Sequence, residues 1–187
     1  SAAVLRTDTE LLVFPIVSAI AAGIVAASFF VPAWLTGFAD EVMARNADRS
    51  LAGYAFLFAF YVVQYVVIFY FNAALVGAAM VRLEGGNPTV TDGFRIANAH
   101  LGHIVGYAAI AATVGVALRA LADRGGRAGQ TISRFGGLGW TIASALVVPV
   151  LVVEGLGPIA AVKRSAGLLK RTWGEQLAGG LGMGFVF

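Results

Sequence analysis

Four long runs of this chain contain no Asp, Glu, Lys or Arg: residues 11–31, 51–81, 96–118 and 135–153. Each is long enough, at 1.5 Å rise per residue, to cross a hydrocarbon core of about 30 Å as a helix. The second run would be roughly 46 Å long as a helix, so it must tilt or protrude at one end. In the third run His100 and His103 are placed at the interface, so the span itself is expected nearer 104–118.

Composition supports the membrane environment. Hydrophobic residues make up 59% and charged residues 12%, whereas an ordinary soluble domain is about a quarter charged. A mean hydropathy of +0.83 argues against a normal water-soluble surface. The net charge of +3 comes from residues outside the apolar runs, which points to a membrane surface and not to nucleic acid. Cysteine is absent, excluding disulfides, thiolate metal sites and a cysteine nucleophile. The opening SAAVLRTDTE is not a charged-then-apolar signal region, and an upstream segment is expected. The uncharged stretch 177–187 is too short to span and is expected to open a fifth apolar segment. The expected fold is therefore all-α: one polytopic transmembrane helical bundle over 1–187, incomplete at both ends. It would have four full spans, a truncated fifth, and amphipathic interfacial helices.

The connections carry the punctuation. Pro32 is expected to end the first span, and Asp40, Glu41, Arg45, Asp48 and Arg49 to fill a polar loop. Glu84-Gly85-Gly86-Asn87-Pro88 reads as a turn, Asp92 as an N-cap, and 119–134 as a Gly-rich basic connection, the glycines at 125, 126, 129, 136, 137 and 139 serving flexible loop and close helix packing. Pro158 suits the first position of a helix over 158–173. On that helix Val162, Leu169 and Trp173 fall within roughly 40° of one another, with Ala166 and Ile159 beside them. Arg164 and Arg171 lie opposite, and Lys163 and Lys170 flank the apolar face, where long stems can snorkel. This is the pattern of a helix lying in the membrane interface; the plain alternative is a short helix packed on the protein's own ends. Lys163, Arg164, Lys170, Arg171 and Trp173 are thus candidate contacts for anionic lipid or a partner. A faint repeat, Arg6-Thr7-x-x-Glu10-x-Leu12 against Arg171-Thr172-x-x-Glu175-x-Leu177, suggests units of interfacial helix followed by a hairpin. Basic residues divide almost evenly between the two sides, so the positive-inside rule does not fix orientation. A cytoplasmic N-terminus is favoured because a basic interfacial helix finds anionic lipid on that leaflet.

Two stretches carry a resemblance. They are Glu10-Leu11-Leu12-Val13-Phe14-Pro15, and the later Trp140-Thr141, Val148-Pro149-Val150, Glu154-Gly155-x-Gly157-Pro158-x-x-Ala161-x-Lys163-Arg164-Ser165 and Leu168-Leu169-Lys170-x-x-Trp173-Gly174-Glu175. Together they resemble an uncharacterised family of prokaryotic multi-span membrane proteins. Around Ala161-x-Lys163-Arg164-Ser165 the chain is also similar to the membrane region attached to some glycerophosphodiester phosphodiesterases. The resemblance implies about six spans and placement in a prokaryotic cytoplasmic (inner) membrane. It implies no activity.

Constellations that could carry chemistry are few. His100 and His103 share a helix face, but a metal site needs further ligands, and none is expected. Asp92-Gly93 lacks the additional carboxylates of phospho-alcohol transferases, and neither a Gly-x-Ser-x-Gly elbow nor a P-loop occurs. Tyr54, Phe58, Tyr61, Tyr65 and Phe69 lie within about 80° on the second span, and Asn72 shares the face. This stripe is either helix packing or a groove for a lipid tail, quinone or pigment. Gln64 and Asn72 are expected to hydrogen-bond a neighbouring helix. Gly102-x-x-x-Gly106, Ala111-x-x-x-Gly115 and Gly180-x-x-x-Gly184 have the spacing of close helix contacts within the chain or with another subunit. A charged residue in mid-span, usual for ion-coupled transport, is absent. The expectation is a protein without catalytic residues or cofactors that organises membrane lipids, anionic ones above all, or serves as a scaffold or accessory subunit, in a homo-oligomer or beside other membrane proteins. The alternative is a channel or transporter for a neutral or lipid-like solute.

Overall fold

The computed structural model describes residues 9–43 and 50–183, with side chains from 11 to 171 apart from 41. Among the described residues every regular element is helical: α1 (Thr9–Leu35), α2 (Phe38–Met43), α3 (Leu51–Leu83), α4 (Val90–Ala99), α5 (Leu101–Arg124), α6 (Gly126–Ser144), α7 (Val147–Val153) and α8 (Pro158–Met183). Four stretches are long and apolar enough to cross a membrane: Leu11–Leu35, Leu51–Leu83, Leu101–Arg124 and Gly126–Val153.

The long α3 is the spine. α1, α4, α5 and α7 all pack on it, α6 packs on α5, and α8 packs on α7, α6 and α5. Ser50 caps α3 by accepting a hydrogen bond from the Gly53 backbone N–H at 3.1 Å. At the other end Gly85 adopts φ +86, and the expected turn at 84–88 follows. The chain then doubles back, and α4 covers the far half of α3. Gly93 lies against the Ala74 carbonyl and the Phe14 ring, and Gly77 against Ile96. The surplus length of α3 therefore has a partner of its own.

Several expected boundaries are corrected. The third run is not one helix, because His100 separates α4 from α5 with φ −107 and ψ 10. Asp92 is not an N-cap. Thr89 caps α4, and Asp92 sits three residues on as the reciprocal member of a capping box, which satisfies two otherwise orphaned N–H groups. Pro32 lies within the last turn of α1, and the helix ends only at Leu35, with Gly37 at φ 75. The 119–134 stretch is not a loop. It belongs to α5 and α6, which meet at Gly125 and Gly126 (φ 55). That junction is tight because Gly125 and Gly129 leave room for the backbones: a Cβ on Gly125 would stand 2.6 Å from the Gly129 Cα. The fourth candidate span thus begins at Gly126, earlier than its charge-free run. Finally, the helix begun by Pro158 continues without a break past Trp173 to Met183. The repeat residues Arg6 and Thr7, the loop residues Arg45, Asp48 and Arg49, and Gly184 lie outside the described residues.

The interior is built from small side chains. Ala73, Ala74, Ala78, Ala97, Ala108, Ala112 and Ala161 are buried, with Phe14, Ile104, Tyr107, Val147 and Leu151 among the larger side chains beside them. Large apolar residues point outwards, among them Ile16, Ile20 and Ile24 on α1 and Ile132, Phe135 and Leu138 on α6. Small residues inside let backbones approach closely, which favours helix association where lipid removes any hydrophobic gain from contact.

Candidate functional site

The aromatic stripe of α3 forms a ladder. Tyr61 stacks on Tyr65 (centroids 5.9 Å apart), Tyr65 on Phe69 (5.4 Å), and Phe69 on Tyr107 of α5 (4.6 Å). Tyr65 Oη also lies 3.9 Å from where a Cβ on Gly115 would sit, so α5 closes over the middle of the ladder. Tyr54, at the other end of α3, is buried beneath the Arg124 guanidinium, 5.2 Å from its ring centroid. Phe58 is partly exposed at 39%. Most of the stripe is therefore occupied by the protein's own rings.

Asn72 shares the stripe's helix face. It lines a cleft of about 340 Å³ between α1 and α3 with Phe14, Pro15, Ser18, Ile68 and Phe71. Gln64, one helical turn from both Phe60 and Ile68, belongs to the α1-facing side of α3. Its Oε1 is buried and finds no hydrogen-bond partner among the described residues, contrary to the expected interhelical bond. A second aromatic cluster joins the far ends of the two helices: Phe29 and Phe30 of α1 pack edge-on against Phe56 and Phe60.

On α8 the basic residues separate into different environments. Arg164 Nε lies 3.0 Å from both carboxylate oxygens of Glu154, closing an ion pair across the turn that contains Gly155 (φ 63). Arg164 remains about half exposed while it makes this pair. Lys163, Lys170 and Arg171 are exposed. Trp173 falls on the helix, but its side chain lies outside the described residues. The expected apolar face is partly used internally: Val162 packs on the core, while Ala166 and Leu169 line a small cleft with Gly139, Ile142 and Ala143 of α6. Ile159 is 65% exposed. Ser165 is fully buried, and its Oγ accepts the Leu146 N–H at 3.1 Å, where α6 breaks into α7.

His100 and His103 remain near each other, with ring centroids 6.4 Å apart. His100 Nδ1 lies 2.9 Å from the Ile96 carbonyl oxygen, so this ring closes the end of α4. Among the described residues no third acidic or histidine ligand joins them. Asp92 accepts from Thr89 Oγ1 at 2.7 Å and from the Thr89 backbone N–H at 3.1 Å, and it pairs with Arg95 at 2.8 Å. Those two Thr89 bonds, aided by Arg95, hold its carboxyl below the usual range.

One polar site is hidden in the sequence because 119–134 has the composition of a loop. Where α5 meets α6, a cleft of about 350 Å³ is lined by Arg119, Ala122, Asp123, Gln130, Ser133 and Arg134. Arg119 Nε pairs with Asp123, whose side chain is only 6% exposed, at 3.4 Å. Ser133 Oγ donates to the Leu118 carbonyl at 2.9 Å, tying the two helices together. The available signal was the helical spacing of Arg119 with Asp123 and of Gln130 with Arg134.

Neither a curated protein nor a solved structure matches this chain. A family model does match, over residues 51–187, from the start of α3 onward and therefore over most of the chain; this protein belongs to the Family of unknown function (DUF6159).

Proposed function

We propose that this protein is an integral membrane protein of a prokaryotic cytoplasmic membrane that organises anionic lipid or a neighbouring membrane subunit and performs no chemistry of its own. The observation that carries this reading is the inverted packing. Alanines and glycines fill the interior, while Ile20, Ile24, Phe135 and Leu138 stand 59–70% exposed on candidate spans. Contiguous apolar surface of this kind is a liability in water and the natural exterior of a protein in lipid. The closed ladder Tyr61-Tyr65-Phe69-Tyr107 favours a packed bundle over a ligand groove on that face. The exposed lysines of α8 supply a cationic edge, with the first half of α8 acting as an amphipathic interfacial segment and the rest opening a fifth apolar segment.

The test is binding of the purified chain to phosphatidylglycerol vesicles against phosphatidylcholine vesicles. Replacing Lys163 and Lys170 with Gln should weaken the anionic preference, and the difference should shrink as salt rises. Unchanged preference at low salt would remove α8 from this role. Passage of a neutral or lipid-like solute is the alternative, favoured by Asn72 in the α1–α3 cleft and by Gln64 Oε1, which has no partner among the described residues. Uptake of small uncharged solutes into proteoliposomes, lost on Gln64→Leu, would establish it.

A further inference from the structure

The outer face of α6 reads as one continuous stripe with two chemistries. Arg127, Thr131, Arg134, Leu138 and Ile142 follow one another at intervals of three or four residues, so all fall within about 80° of arc on a 3.6-residue helix. All five are exposed. The end nearest the α5–α6 junction carries two guanidinium groups, and the remainder is aliphatic. Among the described residues no carboxylate pairs with Arg127 or Arg134. Arg134 also borders the α5–α6 cleft, where Arg119 and the amide of Gln130 add further donors. Among the described residues, the carboxylate that lines the cleft, Asp123, is paired with Arg119 and not with Arg127 or Arg134.

We propose that this stripe binds the phosphate of one anionic phospholipid between Arg127, Arg134 and Gln130, with an acyl chain lying along Leu138 and Ile142. The inference rests on the membrane-embedded reading above and adds a site distinct from the basic edge of α8. Charge complementarity selects the headgroup. The order of the stripe selects a lipid over a free anion, because eight residues from Arg134 to Ile142 give about 12 Å of apolar track below the charges. Arginine suits the head of such a site, since its planar fork presents paired donors to phosphate oxygens. Gly125 and Gly129 let α5 and α6 approach closely at this end of the hairpin, where Arg119 of α5 lines the same cleft.

The experiment uses the full chain in nanodiscs of phosphatidylcholine containing a minor fraction of phosphatidylglycerol, with retained lipid counted by native mass spectrometry. Wild type should retain phosphatidylglycerol preferentially. Arg127→Gln with Arg134→Gln should reduce that preference about tenfold or more, at the scale expected for two basic residues near a headgroup. Arg127→Lys with Arg134→Lys should keep most of it, which separates loss of charge from loss of fold. A phosphatidylglycerol bearing a photoreactive group on its acyl chain should label the peptide containing Leu138 and Ile142. Unchanged preference in the Gln variant overturns the proposal. So does a preference abolished only by Lys163→Gln with Lys170→Gln, which would leave the α8 reading standing. Displacement of the lipid by millimolar inorganic phosphate would assign the cleft to a free anion and also overturn it.

Discussion

Gly93 is a point where two helices approach closely. A Cβ there would stand 2.6 Å from the Ala74 carbonyl oxygen and 2.5 Å from the Phe14 ring. The ring could turn, but the carbonyl belongs to α3 and cannot. Gly93→Ala should therefore separate α4 from α3 and destabilise the bundle by about 1–3 kcal/mol, the usual scale of overpacking, despite the better helix propensity of Ala. Thermal unfolding in detergent reads the loss, and an unchanged midpoint would refute the close approach. Ser165 makes the opposite kind of contact. Its buried hydroxyl satisfies the Leu146 N–H, so Ser165→Ala should cost about 1–3 kcal/mol by leaving that donor unpaired. Asp92 gives a pH dependence. Its carboxyl is held below its ordinary value of 3.8 by Thr89. A depressed folded-state value means stability that is fully present above 3.8 and is lost as pH falls through the folded value. Hydrogen exchange at the first turn of α4 should accelerate in that acid window in wild type, and Asp92→Asn should remove the change.

At the scale of elements, the aromatic ladder joins α3 to α5. Phe69 and Tyr107, stacked at 4.6 Å, should show a coupling of about 0.5–1.5 kcal/mol in a double-mutant cycle to Leu. Additive losses would mean that the rings only fill space. The stripe itself was legible, because five aromatics at helical spacing must share a face whatever surrounds them. Its partner was not legible, since which face of α5 turns towards α3 depends on the break at His100. The same limit applies at 119–134. Glycines and arginines there satisfy the usual description of a loop, yet Gly125 and Gly129 are small because two helices pass close by. Only the packing of α5 on α6 distinguishes those cases. For α8 the amphipathic pattern was visible, but half of its apolar face is buried against α6 and α7, and Arg164 is held by Glu154.

At the scale of the whole molecule, α3 and α5 run antiparallel, placing the 84–88 turn and the Gly125–Gly126 junction at opposite ends of the bundle. The chain has no cysteine, so single cysteines can map this directly. Glu84→Cys and Ala128→Cys should react with a membrane-impermeant maleimide from opposite sides of sealed vesicles. Ile20→Cys and Leu138→Cys should react from neither side. Labelling of both ends from one side would contradict the crossing arrangement.

Sequence alone determined the helical class and the presence of four apolar stretches long enough to span, because backbone satisfaction in lipid and helix rise impose length and polarity on a segment without reference to its neighbours. It also exposed the phase of the aromatic stripe, which follows from helical periodicity alone. Tertiary structure decided where the helices break, that α4 covers the far half of α3, that Asn72 opens towards α1, and that the arginines of 119–134 gather around one cleft. Each of these depends on close approach between segments distant in the chain. Small residues and polar groups look alike in sequence whether they line a turn or a contact, and only the neighbour they meet tells the two apart.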